Sequence, residues 1–122
     1  MHALLLVAAG GAAGAVCRLL ISLWLGTHHL FPWATLGINI AGSFAIGLLW
    51  GAWGHTEWFL QWGRLLLVVG VLGGFTTFSA FSMETLNLLQ SDRVWSGVAY
   101  ATASLFACLL AVFAGERLGG SL

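Results

Sequence analysis

Four long apolar stretches, separated by short polar or aromatic segments, dominate the hydrophobic pattern of this chain. Crossing the hydrocarbon core of a bilayer takes about 20 predominantly apolar helical residues. The pattern meets that length four times and predicts transmembrane helices at residues 3–25, 32–53, 62–89 and 94–114. Tryptophans cluster near the predicted helix ends, as an interfacial aromatic belt would. The expected fold class is therefore an all-α integral membrane protein with a single four-helix domain.

The third predicted span is interrupted at residues 73–82, which read GGFTTFSAFS. This span is longer than a bilayer requires at roughly 1.5 Å of rise per residue, which leaves room for an unwound stretch. Non-helical backbone is tolerated at membrane depth only where protein covers it or where it lines a cavity. We therefore expect a helix break near mid-membrane, at Gly73–Thr77, beside an ion or substrate site.

Polar side chains recur every four residues on two other spans, so each row lies on one helix face. The rows are Thr35, Asn39 and Ser43 on the second span, and Tyr100, Ser104 and Cys108 on the fourth. Polar groups that face lipid are unfavourable, so both rows are expected to point inwards. Interhelical hydrogen bonding explains a lone serine or threonine most simply. For Asn39, a structural role and a role in a site both remain open.

Glycine pairs spaced four residues apart occur in three of the four spans. They are Gly10 and Gly14, Gly47 and Gly51, and Gly70 and Gly74. Small residues allow helix backbones to approach closely. The pairs therefore predict tight helix packing and carry no functional information by themselves.

Composition and charge exclude several classes of protein. Of the 122 residues, 60% are hydrophobic and 7% are charged, against roughly 25% charged in soluble domains. The net charge is zero and the four arginines form no basic stripe, so nucleic acid is not expected as a partner. Arg64 and Arg117 fall on one side of the membrane, and Arg18 and Arg93 on the other. This equal distribution of arginines fits a protein that inserts in both orientations and forms antiparallel dimers. It fits equally well a protein whose charges are too few to determine its orientation.

Neutral donors dominate the predicted interior, since only Arg18 and Glu84 among the ionisable residues fall well inside a span. Cation pathways usually carry acidic side chains. N–H and O–H donors suit a small anion instead, and the edges of aromatic rings add partial positive charge. Phe78 and Phe81, three residues apart after the break, could present ring edges to one ion. Without further context, simple core packing is the favoured explanation of such a pair.

Three other classes of membrane protein fit the sequence less well. A small multidrug exporter depends on a carboxylate in its first span, and residues 3–25 contain no acid. A membrane adaptor would not need a broken third span. An intramembrane enzyme needs a catalytic pair, and none stands out. The histidines fall in termini or loops and are interpreted as plain loop residues: His2, His28, His29 and His55.

The N-terminus and the cysteines support the same membrane interpretation. The first apolar stretch lacks the basic residues that precede the core of a signal peptide, so we expect it to be retained as a span. Cys17 and Cys108 both lie in apolar stretches. Buried free thiols are expected there rather than a disulfide.

The chain resembles the Fluc/CrcB fluoride channels over nearly its whole length. Three blocks carry the resemblance, in the order and spacing of that family: GGAAGA at 10–15 followed by Arg18, TLGINIAGSF at 35–44, and GGFTTFSAFSME at 73–84. The third block is the most specific. A lone pair of spaced glycines would carry no weight, whereas the three blocks together are a strong match.

The resemblance implies a passive channel, not an enzyme, through which prokaryotes expel fluoride across the plasma membrane. It also implies antiparallel, dual-topology homodimers with two pores, which agrees with the tied arginines. By resemblance, the pores are lined by Asn39 as a donor, Phe78 and Phe81 as ring edges, Ser79 as a hydroxyl, and Tyr100 and Ser104 as the start of a polar track. A structural sodium ion at the dimer centre would be bound by the backbone carbonyls of Gly73 and Thr76.

Two charged residues and three departures from the family pattern leave specific questions. Arg18 matches a first-helix arginine that either draws anions to a vestibule or snorkels to the interface. Glu84 matches a family acid whose carboxyl group is paired, protonated or part of a water chain. The family usually has hydroxyl residues where this chain has Ala80, Cys108 and Val112. We expect these replacements to affect conductance or the number of anion positions, not permeation itself.

Overall fold

The computed structural model describes residues 1–26 and 30–122, and these residues form helices without any strand. The elements are α1 (His2–Leu25), α2 (Trp33–Trp53), a π-helical segment (Phe59–Leu72), α3 (Gly73–Phe75), α4 (Phe78–Gln90) and α5 (Val94–Gly119). Four stretches are long and apolar enough to cross a membrane, and the third of them, Phe59–Gln90, is here called the third span. The all-α prediction is confirmed. His28 and His29 lie outside the described residues.

The third span contains more residues than a straight membrane helix needs. Its 32 residues would extend about 48 Å as an unbroken α-helix, against about 30 Å of hydrocarbon. Part of the excess is taken up by π-helical winding, in which the Gly73 N–H reaches back to the Val68 carbonyl oxygen, five residues earlier. The rest is taken up by a break at Thr76 and Thr77, which separates α3 from α4.

The break is narrower than the sequence predicted. Gly73–Phe75 remains helical, with φ −62° and ψ −38° at Gly73, and only Thr76 and Thr77 are extended. Glycine weakens an isolated helix by about 1 kcal/mol relative to alanine. Here Gly74 lies directly against the backbone of α1 at Gly11, and this packing keeps the glycine pair helical. The expectation of unwinding from Gly73 onwards was therefore wrong.

Close glycine contacts join the helices in two pairs, α1 with the third span and α2 with α5. A Cβ atom added to Gly10 would lie 2.5 Å from the Leu66 carbonyl oxygen and 3.0 Å from the Cα atom of Gly70. On the other pair, Gly47 and Gly51 face the α5 backbone at similarly close range. The predicted tight packing at the glycine pairs is confirmed.

The break allows the third span to change its helical partner. Before the break, the π-helical segment and α3 pack on α1; after it, α4 packs on α5. A small buried cluster of Leu36, Leu88 and Tyr100 ties α2, α4 and α5 together beyond the break. The interrupted backbone therefore lies where the two helix pairs meet, and polar side chains from both pairs can reach it.

Candidate functional site

The break itself consists of two extended threonines. Thr76 has φ −78° and ψ 156°, and Thr77 has φ −149° and ψ 114°. The Thr76 hydroxyl donates to the Leu72 carbonyl oxygen at 2.8 Å, one turn back in the preceding helix. The Thr77 hydroxyl oxygen accepts from the Ala80 backbone N–H at 3.2 Å and so caps α4. The two hydroxyls satisfy some of the backbone groups that the ended helices leave without partners.

Asn39 on α2 holds the break from the opposite side. Its Oδ1 atom accepts from the Thr77 backbone N–H at 2.8 Å, and its Nδ2 donates to the Thr77 carbonyl oxygen at 3.1 Å. The amide thus pairs with both backbone groups of one residue, as a neighbouring strand would. The Nδ2 group carries two N–H donors, and the bond to Thr77 uses only one. The structural role of Asn39 is therefore present, and one donor is left for a role in a site.

Arg18 on α1 contacts the same region through the backbone. Its Nε donates to the Gly74 carbonyl oxygen at 3.1 Å, across 56 residues of chain. The last carbonyls of a helix lack intrahelical donors, and the arginine supplies one of them. Neither sequence-based interpretation of Arg18 included this contact. The sequence did contain an indication of this contact. Gly10, Gly14 and Arg18 are spaced four residues apart, so the arginine lies on the face of α1 that packs on the third span.

A cavity of about 720 Å³ lies beside the break, between α2, the third span and α5. It is lined by apolar, glycine, amide, hydroxyl and thiol side chains, and none of its lining residues is an acid or an arginine. Of the ten residues predicted for the fluoride pathway and the sodium site, six line this cavity: Asn39, Gly73, Thr76, Phe78, Phe81 and Ser104. The other four do not line it: Arg18, Ser79, Tyr100 and Glu84.

Aromatic rings form a continuous row from this cavity into the protein. The ring centroids of Phe78 and Phe81 are 5.2 Å apart, and those of Phe81 and Tyr100 are 5.3 Å apart. Phe78 is 78% exposed, whereas Tyr100 is fully buried. Both pairs are tilted by 50° rather than stacked, so the rings can turn edges as well as faces towards the cavity.

Ser104 has an unusual environment on the α5 wall of the cavity. Its side chain is 7% exposed, and its hydroxyl has no hydrogen-bond partner among the described residues. A buried polar group without a partner costs about 1–3 kcal/mol. The Ser104 oxygen therefore lies buried in the wall of the cavity without a compensating hydrogen bond among the described residues.

Glu84 is paired with two hydroxyl groups. Its Oε1 accepts from the Thr35 hydroxyl at 2.7 Å, and its Oε2 accepts from the Tyr100 hydroxyl at 2.7 Å. Two neutral hydroxyl groups, one from α2 and one from α5, therefore hold the carboxyl group in place. Glu84 and Thr35 also line a second, smaller cavity of about 290 Å³ near the start of α2. The Thr35 contact was not foreseen, although Thr35 lies one turn before Asn39 on the same polar face.

Ser79 lies next to the cap of α4 rather than in the larger cavity. Its hydroxyl is 3.2 Å from the Thr77 hydroxyl, and its side chain is exposed. Sequence reasoning did not single out Thr77, which bonds to Asn39 and Ala80 and lies close to Ser79. The signal that could have identified Thr77 is its position directly before α4, where threonine is a favoured cap.

Backbone carbonyls at the break can serve as ligands for a hard cation. The Gly73 and Thr76 carbonyl oxygens accept no hydrogen bond in the part of the chain that the structure describes, unlike that of Gly74. Unwound carbonyls at helix breaks are ligands for Na⁺ in membrane proteins. The chemistry of these two groups therefore fits a sodium ion.

These features define a multi-pass helical membrane protein with a polar break beside a cavity, which is the arrangement of a transport site. The family model described as CrcB-like protein, Camphor Resistance (CrcB), matches residues 5–116. The chain belongs to this family, as the resemblance in sequence indicated.

Three relatives illustrate the match, and each is named fluoride-specific ion channel FluC. The Rhizobium meliloti protein is 47% identical, with 97% of this chain and 96% of the relative aligned. A Thermus thermophilus protein is 50% identical, over 97% and 94% of the two chains. The Rhodospirillum centenum protein is 44% identical, over 97% and 95%. The similarity therefore extends over the whole arrangement of helices and is not confined to one motif.

Proposed function

We propose that the protein is a fluoride-selective passive channel that lets fluoride leave the bacterial cytoplasm. The observation that carries the proposal is the uncharged cavity at the helix break, in which amide, hydroxyl and aromatic groups converge without an acid. Such groups favour a small anion over a cation. The names of the relatives point to the same ion.

Fluoride is small and tightly hydrated, so a pathway must replace its water at little net cost. The free N–H of Asn39 and the unpartnered hydroxyl of Ser104 supply strong donors, and the ring edges of Phe78 and Phe81 bind more weakly. Ser79 and Tyr100 lie beside these groups and extend the polar surface. Conduction requires binding that is favourable enough for entry and weak enough for exit. The larger chloride ion fits a narrow pathway of this kind poorly.

The pathway is completed by a second copy of the chain in an antiparallel, dual-topology homodimer with two pores. Support comes from the exposure of Phe78 and Gly73 beside the two extended threonines. Interrupted backbone at membrane depth must be covered by protein or line a water-filled space. The tied arginine count agrees with copies inserted in both orientations.

A structural sodium ion at the dimer centre would be held by the Gly73 and Thr76 carbonyls of both copies. When bound, the ion supplies a fixed positive charge that raises the local potential for anions. Arg18 and Asn39 keep the neighbouring backbone in place by bonding to Gly74 and Thr77. These contacts leave the two sodium-binding carbonyls free.

Fluoride efflux from liposomes tests the proposed function. The purified protein is reconstituted, and the vesicles are loaded with potassium fluoride or potassium chloride. A potassium ionophore is added so that potassium leaves with the anion, and efflux is followed with ion electrodes. Rapid loss of fluoride without loss of chloride is expected. No fluoride loss from a protein that elutes as a folded dimer would contradict the channel and favour an adaptor. Efflux that requires a proton gradient would favour an exporter.

A further inference from the structure

Gly42 on α2 meets the break in the third span at close range. It is buried, it lines the larger cavity, and it lies three residues after Asn39, which bonds to Thr77. A Cβ atom added to Gly42 would overlap the Cγ2 methyl group of Thr76, whereas the next nearest atoms, Cδ1 of Phe75 and Cβ of Thr76, lie at 3.4 and 3.7 Å. Both residues of the break are therefore held by positions on one face of α2.

The Thr76 side chain has no free rotation with which to avoid a larger neighbour. Threonine is branched at Cβ, so its hydroxyl and methyl groups turn together about χ1. The hydroxyl donates to the Leu72 carbonyl oxygen at 2.8 Å, and this bond fixes the rotamer in which the methyl group lies against Gly42. Rotation away from a side chain at position 42 would break the bond. The remaining response is a shift of the Thr76 backbone, which is part of the break.

We propose that Gly42 is a positioning residue of the anion pathway, because its lack of a side chain accommodates the Thr76 methyl group and so fixes the backbone of the break. Thr76 borders the cavity, and Phe78 begins α4 two residues later. A displaced Thr76 therefore moves the start of the helix that carries both proposed ring-edge residues, Phe78 and Phe81. The inference rests on the proposed fluoride channel.

A double-mutant cycle tests the contact, because Thr76→Ser removes the methyl group and keeps the hydroxyl that bonds to Leu72. Gly42→Ala is made in the unmodified protein and in the Thr76→Ser background. Each rate of fluoride efflux is divided by the amount of folded protein, and the effect of Gly42→Ala is expressed relative to the background in which it was made. The midpoint of thermal unfolding is measured in detergent on the same samples.

Two other glycines of the same helix supply matched controls. Gly37→Ala adds a methyl group with nothing within 4 Å. Gly51→Ala overpacks against the α5 backbone at Glu116, about 14 Å along α2 from Gly42. The first control reports the effect of alanine on the helix alone, and the second reports a loss of stability away from the break.

Gly42→Ala is expected to lower the midpoint of unfolding by about 4–12 °C and fluoride efflux by about tenfold. In the Thr76→Ser background, the same change should lower the midpoint by less than about 2 °C and efflux by less than about twofold. Gly51→Ala should lower the midpoint about as much as Gly42→Ala does in the unmodified protein. In both controls, efflux per folded protein should stay within about twofold of the unmodified rate.

Equal effects of Gly42→Ala in the two backgrounds would overturn the proposal, since the Thr76 methyl group would then not be the neighbour that matters. A loss of efflux in Gly51→Ala as large as that in Gly42→Ala would also overturn it, because any loss of stability would then slow conduction. If Gly42→Ala yields no folded protein, a folded double variant supports the contact, and failure of both overturns it. If the unmodified protein shows no fluoride efflux, the proposed function fails, and the thermal cycle still decides whether Gly42 positions Thr76.

Discussion

The double contact between Asn39 and Thr77 makes Asn39→Ala the most informative substitution in the chain. The change removes both hydrogen bonds, at 2.8 and 3.1 Å, and leaves a backbone N–H and a carbonyl oxygen at the break without partners. Each unsatisfied buried group costs about 1–3 kcal/mol. Because the site is half-buried and water can enter the cavity, the expected loss lies at the lower end of the summed range. We expect the free energy of unfolding to fall by about 2–4 kcal/mol.

Ser43→Ala provides the matched control for this prediction. Ser43 is one turn further along the same face of α2 and lines the same cavity, and its hydroxyl makes no hydrogen bond within the described residues. Its removal should change stability by less than about 0.5 kcal/mol, as for substitutions away from structural contacts. The free energy of unfolding is measured in detergent by chemical denaturation, followed through tryptophan fluorescence.

Fluoride efflux from liposomes is measured on the same two variants. Asn39→Ala should lose efflux together with stability, because the backbone of the break and the free amide donor are disturbed at once. If Asn39→Ala is as stable as Ser43→Ala, the contact with Thr77 does not hold the break. If it is destabilised and yet conducts fluoride normally, Asn39 is structural only.

Three further substitutions test separate parts of the structure. Phe81→Ile should slow fluoride efflux about two- to twelvefold, the equivalent of about 0.5–1.5 kcal/mol for a ring contact. Its elution in gel filtration should match that of the unmodified protein, and full efflux would remove the ring-edge role. Tyr100→Phe takes a donor from Glu84 and should lower the free energy of unfolding by about 1–3 kcal/mol; unchanged stability would show that the carboxyl group does not depend on this bond. Gly10→Ala should lower the free energy of unfolding by about 1–3 kcal/mol, because the added methyl group overpacks against the third span. Gly37→Ala is the control, since nothing lies within 4 Å of its added methyl group. This change should leave the free energy of unfolding unchanged or raise it by about 0.5–1 kcal/mol. Equal stability of the two glycine variants would contradict the close packing at Gly10.

The sequence predicts the membrane helices well because each span needs enough consecutive apolar residues to cross the hydrocarbon core of the bilayer. It also locates the break to within a few residues. It cannot predict that Gly73 and Gly74 remain helical, because their conformation depends on contact with α1 and not on local propensity. Nor does it predict the π-helical winding of Phe59–Leu72, since nothing in the local pattern distinguishes that segment from an ordinary apolar helix.

The candidate site is predictable in its residue types and less so in its contacts. Asn39 and Glu84 are conspicuous as polar groups inside apolar spans. Their partners are not, because Thr77 is 38 residues from Asn39 and Thr35 is 49 residues from Glu84. Only the packing of the helices brings such groups together. The one buried hydroxyl without a partner among the described residues, that of Ser104, is likewise visible only once the neighbours are known.

The positions of Arg18 and Asn39 in the chain have a consequence for biosynthesis. Both residues precede the break, and synthesis runs from the N-terminus, so α1 and α2 leave the ribosome before Thr76 and Thr77 do. When the interrupted segment enters the bilayer, a guanidinium group and an amide group are already present for its backbone. The third span therefore need not wait for α5 before its exposed peptide groups find partners.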